Sequence, residues 1–183
     1  MDSLTRKALD DLWSDDDDAR YKAFLAVIAM TDAPVDWAYE AWDDLLAHLR
    51  HKNNHIRAIA SQVLCNLAKS DPKNRMLKDF DAIMAVTGDK MFITARHTLQ
   101  AVWKVGVAGG KQRALVLDRL ERWFKDCVSH KNCTLIRYDI VVDLRQIYDV
   151  VKDAQVKELA LALIATEPDA KYQKKYAGVW RKA

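Results

Sequence analysis

The sequence predicts an all-α protein: an α-α superhelix of about four helical pairs with further helices at its C-terminal end. Three observations lead there. Helix breakers are scarce, with 5 glycines and 3 prolines in 183 residues, too few for the many turns of an all-β fold. Strong helix formers, chiefly Ala, Leu and Lys, fill the space between them. An apolar pattern built around an arginine recurs with a period near 40, the mark of stacked supersecondary units.

The pattern is clearest at Asn53–Pro72, NNHIRAIASQVLCNLAKSDP. Aligning Arg57 with Arg20, Arg96 and Arg137 superposes Ala60 on Ala23, Leu99 and Ile140, and Leu64 on Val27, Trp103 and Leu144. Val63 falls on Ala26 and Val102, but the fourth copy has Asp143 in that place. Spacings of i, i+3, i+4 and i+7 make each copy the apolar stripe of a helix. In this register Trp103 is a core residue.

The remaining elements follow in chain order. Each copy is preceded by another amphipathic stretch, roughly 3–13, 35–50, 73–87 and 111–129. In the second, Trp37, Ala41, Leu45 and His48 or Leu49 share one side; in the fourth, Leu115, Leu120, Trp123 and Phe124 do. Asp15-Asp16-Asp17-Asp18 reads as an N-cap whose charges suit the positive end of the helix dipole. Thr31-Asp32-Ala33-Pro34, Ser70-Asp71-Pro72 and Thr166-Glu167-Pro168 each stop one helix and start the next. Gly109-Gly110 does so between copies three and four. A fifth helix at 153–166 and a short helix near 169–180 close the chain. One helical pair cannot bury its apolar face alone, whereas stacked pairs share a continuous core. The sequence therefore predicts a single domain over 1–183.

The period, the paired helices and the motif D/N-x-x-x-R-x-x-A, seen best in Asn53-Asn54-His55-Ile56-Arg57-Ala58-Ile59-Ala60, resemble HEAT-type repeats of the armadillo/HEAT superhelix class. The resemblance spans about residues 3–166. It implies that the second helix of each pair lines a concave side and that the repeated arginine bonds a polar residue of its own or the next repeat. Asp16 or Asp17, Asn53, Asp89 and Asn132 are the candidates here.

Residues 1–92 hold 12 Lys+Arg against 16 Asp+Glu, and residues 93–183 hold 17 against 10. A groove on the second helices is then basic toward the C-terminal half. Its candidate binding residues are Arg57, Lys90, Arg96, His97, Lys104, Arg137 and Arg145, and it suits an acidic peptide, a phosphorylated partner or a nucleic-acid backbone. The reading this supports is a non-catalytic binding or adaptor module with a protein partner. A second reading comes from the DNA glycosylases for alkylated purines that share the HEAT-like architecture. That resemblance implies a basic groove, an aromatic residue at the lesion and a carboxylate near the sugar, for which Trp103, Arg96, Arg137 and Asp139 or Asp143 are the candidates.

No catalytic, cofactor or metal signature stands out. His48, His51 and Asp44 share a helix face without a fourth ligand, and Cys127-x-x-His130-x-x-Cys133 lacks the paired spacing of a zinc site. The acidic run lacks the glycine and late glutamate of a calcium loop. Phosphate-loop, dinucleotide and nucleophile-elbow patterns are absent from the sequence. Three cysteines suggest free thiols in a reducing compartment. With no signal-peptide pattern at the N-terminus and no apolar run of spanning length, the expectation is a cytoplasmic protein without membrane contact.

Overall fold

A computed structural model describes residues 1–181. Among them the regular structure is entirely helical: α1 (Ser3–Asp11), α2 (Asp17–Met30), α3 (Ala38–His48), α4 (Asn54–Leu67), α5 (Met76–Val86), α6 (Phe92–Leu99), α7 (Trp103–Ala108), α8 (Gly110–Asp126), α9 (Cys133–Val151), α10 (Ala154–Ala165) and α11 (Ala170–Trp180), with single 3-10 turns after α4 and α8. No helix among the described residues is long and apolar enough to cross a membrane. The chain falls into two compact units, Met1–Ala101 and the part from Val102 onward.

A capping side chain sets five of the eleven helix starts. Asp16 caps α2 by accepting from Asp18 N and Ala19 N, both at 2.9 Å, which holds its carboxyl below the usual range. Asp2, Asn53, Asp153 and Asp169 cap α1, α4, α10 and α11 in the same way. The second helix of the third copy departs from expectation. It is interrupted at Gln100–Val102 into α6 and α7, although neither Gly nor Pro stands there. Packing accounts for the break: α6 belongs to the first unit, against α4 and α5, whereas α7 belongs to the second, against α8 and α9.

In the first unit α1 pairs with α2, α3 with α4 and α5 with α6, and the second helices follow one another, α2 on α4 and α4 on α6. The repeated stripe is its core: Val27, Ala60, Val63, Leu64 and Leu99 are buried, as are Trp42, Leu45, Phe80 and Ile83 from the first helices. In the second unit α8 packs on α7, α9 and α10, and α9 on α10 and α11, around Leu120, Phe124, Ile140, Leu144 and Ile147. Here α7 approaches α9 closely: a Cβ on Gly106 would lie 2.7 Å from Ile147 Cδ1. Trp103 is only half-buried, unlike Leu64 and Leu144 in the matching slots.

Bonds between distant parts of the chain span one repeat length. Asn66 Nδ2 donates to Thr31 Oγ1 at 2.6 Å, Trp42 Nε1 to Asp79 at 2.9 Å, and Ser61 Oγ lies 2.7 Å from Thr98 Oγ1, across 35, 37 and 37 residues. In the second unit Arg113 reaches Asp153 across 40 and Tyr176 reaches Thr134 O across 42. The punctuating residues join in: Ser70 Oγ accepts from Val35 N at 2.9 Å, and Lys69 Nζ donates to Asp32 O at 2.8 Å. Each unit is thus held by nearest neighbours in sequence order, the arrangement expected where single helical pairs cannot bury their own apolar faces.

Candidate functional site

The arginine ladder is built into the fold. Arg57 makes a two-point contact with Asp89, Nε to Oδ2 at 2.6 Å and NH2 to Oδ1 at 2.9 Å. Its NH1 donates to His51 O and Lys52 O at 2.7 and 3.1 Å. The planar fork suits this bridging, since it meets a carboxylate and the preceding turn together. The Asp89 carboxyl is held below its usual range, chiefly by the Arg57 hydrogen bond. Arg20 donates through NH1 to Ser14 O at 2.7 Å and pairs with Asp17. Arg137 Nε donates to Phe124 O at 3.1 Å, its NH1 to Glu167 at 2.9 Å, and its guanidinium lies 4.8 Å from the Phe124 ring centre. Of the partners expected from sequence, Asp17 is correct for Arg20. Arg57 takes Asp89, the candidate in the next repeat, and Arg137 takes Glu167, which was not among the candidates. These carboxylates lie 32 and 30 residues downstream, beyond the range of a local motif.

The other expected binding residues divide. Arg145 is committed to Asp149 and to Val179 O, each at 2.8 Å, beside Trp180. Arg96 and Lys104 are half-buried and engaged within the fold. Lys90 is exposed on the turn before α6, and His97 is exposed on α6. A continuous strip of free arginines is therefore not what the second helices present. Asp139 and Asp143 are 2% and 1% exposed, so neither carboxylate reaches a surface groove.

What the second helices of the first unit do present is an open hollow of about 320 Å³. It is floored by Ala58 and Ile59 of α4, walled by Tyr21 and Phe24 of α2, and edged by His55, Gln62 and His97. Its residues form a second stripe, 17-20-21-24 on α2 and 55-58-59-62 on α4, one step around each helix from the buried one. Tyr21 is 59% exposed and Leu25, on the next turn, 49%. The signal was present in the sequence: YKAFLAVIAM is apolar on more sides than one core requires. A second hollow of about 470 Å³ lies between α3 and α5, with Arg50 and Lys78 at its edge and Ala82 and Val86 inside.

The remaining clusters have structural partners. The His48 ring stacks on Trp13 at 3.7 Å and 7°, and its Nδ1 lies 2.8 Å from Asp44 O. The Asp44 carboxylate accepts from Trp13 Nε1 at 2.8 Å, and His51 Nδ1 accepts from Asn53 N. Burial, and then the neighbouring Cys133, push the Cys127 thiol up to about 12, far from a reactive thiolate. Among the described residues no three His, Cys, Asp or Glu side chains converge as a metal-binding group.

Asp143 stands apart. Both its carboxylate oxygens are buried, and neither has a hydrogen-bond partner among the described residues. Burial, reinforced by Asp139, raises its pKa well above that of an ordinary aspartate.

No protein-family model matches the chain, and no curated protein sequence does. Among solved structures it is similar to an engineered protein determined by the Northeast Structural Genomics Consortium, with a TM-score of 0.53 and 15% sequence identity, over 100% of this chain and 88% of that one. At that identity the likeness concerns the helical fold alone.

Proposed function

We propose that this protein is a non-catalytic binding module built on HEAT-like helical repeats, and that it holds a segment of a protein partner on the second helices of its first unit. The observation that carries the reading is the hollow on α2, α4 and α6. Its size lies within the range of small binding clefts, about 300 Å³ and above. Its apolar floor and half-open aromatic wall suit an anchoring side chain from a partner. The hydrogen bonds that recur one repeat apart support the HEAT-like reading.

Site-specific photo-crosslinking tests the proposal. A benzophenone amino acid replaces Gln62 at the hollow or, as a control, Lys78 on the α3–α5 side. Adducts from native lysate are expected at position 62, with Tyr21→Ala reducing them at least tenfold while the melting temperature is unchanged. Equal labelling at both positions, or labelling indifferent to Tyr21→Ala, would overturn it.

A further inference from the structure

Charge is divided between the two units. Residues 1–101 carry 13 Lys+Arg against 16 Asp+Glu, and residues 102–183 carry 16 against 10. In the second unit five of the ten carboxylates are matched by a cation: Asp118 with Arg122, Glu121 with Lys125, Asp149 with Arg145, Asp153 with Arg113 and Glu167 with Arg137. The surplus gathers on α11. Lys171, Lys174 and Lys175 follow at i, i+3 and i+4, so they share one side of the helix. All three are exposed, and among the described residues none has a carboxylate partner.

Tyrosines lie beneath these lysines. Lys175 Nζ is 4.5 Å from the centre of the Tyr138 ring on α9, and Lys171 Nζ is 5.7 Å from that of Tyr172. Both rings meet Tyr176 at 6.3 Å. Tyr176 is buried and donates its hydroxyl to Thr134 O at 2.7 Å, fixing α11 against α9. Tyr138 and Tyr172 are half-buried. The surface is therefore a row of ammonium groups over rings held in place by a rigid third.

We propose that this α9–α11 face binds single-stranded nucleic acid, with Lys171, Lys174 and Lys175 along the phosphates and Tyr138 and Tyr172 as stacking partners for the bases. The choice among polyanions follows from the residue types. Ring faces gain from unpaired bases, whereas a duplex hides its base faces. Recognition of phosphorylated or acidic peptides favours the two-point fork of arginine, but the arginines nearby, Arg137 and Arg145, are spent inside the fold. The proposal is independent of the hollow on the first unit.

Fluorescence anisotropy of a labelled oligothymidylate with the full chain, from about 50 to about 200 mM salt, tests it. Binding is expected to weaken steeply with salt. Because each neutralised phosphate on a single strand contributes about 0.7 to the logarithmic salt slope, the combined variant Lys171→Ala, Lys174→Ala, Lys175→Ala makes that slope shallower by about 2. Tyr172→Ala weakens binding about fivefold or more at fixed salt, while Tyr172→Phe, which keeps the ring, does not. A duplex of matching length binds more weakly than the single strand. The proposal fails if the triple lysine variant binds as wild type with an unchanged slope, if the duplex binds as tightly as the single strand, or if polyglutamate or phosphatidylserine vesicles displace the oligonucleotide at equal charge concentration.

Discussion

Asp143 occupies a position that the other copies of the repeat fill with Ala26, Val63 and Val102. A carboxyl there loses its hydration and gains no hydrogen bond, and a buried polar group left unsatisfied costs about 1–3 kcal/mol. Its pH dependence follows from the raised pKa. The folded state keeps the proton where the unfolded chain, with an ordinary aspartate near pH 3.9, has released it. Stability therefore falls as pH rises above that value and stops falling once the folded-state pKa is passed. Asp143→Val is expected to raise stability near neutrality by about 1–3 kcal/mol and to flatten this part of the profile. Urea unfolding at about pH 5 and pH 7.5 measures both; a wild-type midpoint that does not fall toward the higher pH, or an Asp143→Val protein no more stable than wild type at about pH 7.5, would contradict the account. Asp139 and Cys127 belong to the same small population of buried titratable groups, but each has a neighbour that engages it.

The helical pair is the element, and Arg57 and Arg137 tie segments 32 and 30 residues apart. Arg57 illustrates the balance of terms. Its side chain is 11% exposed and that of Asp89 7%, so both charges are largely withdrawn from water and each is tolerable only because of the other. Arg57→Ala leaves a buried carboxylate facing two empty carbonyls, and the loss expected is about 3–5 kcal/mol. The double variant with Asp89→Asn recovers part of it, which separates a structural bridge from a surface charge. The depressed Asp89 pKa gives the pair a pH signature of the opposite sense to Asp143: its contribution is present above the ordinary aspartate range and is lost as pH falls through the folded-state value. Chemical denaturation of both variants at neutral pH tests the claim; an Arg57→Ala protein as stable as wild type would show that the bridge contributes nothing. The α6–α7 interruption belongs to this scale as well. Its residues carry no local breaker, so helix propensity alone would run through it, and allegiance to different packing partners decides the break.

For the whole molecule, the division into two compact units has a calorimetric consequence. The hydrogen bonds described above across 35 to 42 residues run within each unit, so each unit is expected to open cooperatively by itself. Heating is expected to give a transition wider than a single two-state step, with a calorimetric enthalpy exceeding the van't Hoff value. Asp143→Val should move the component contributed by the second unit and leave that of the first in place. A single transition with matching enthalpies, shifted as one by Asp143→Val, would show that the chain melts as a single block.

Much of this protein was legible in one dimension. Helix positions, their acidic caps, the proline-marked turns and the buried stripe of Val27, Ala60, Leu64, Leu99, Ile140 and Leu144 follow from side chains that meet within a turn or two, where spacing and capping chemistry act directly. What the sequence could not supply were choices made between residues 30 to 40 apart. Those include Glu167 as the partner of Arg137, the lack of a hydrogen-bond partner for Asp143 among the described residues, the use of Tyr21 and Phe24 as walls rather than core, and the gathering of Lys171 and Lys175 over tyrosines from two helices. Each depends on which faces come together after the helices pack, and a helix carries no local record of the neighbour it will meet.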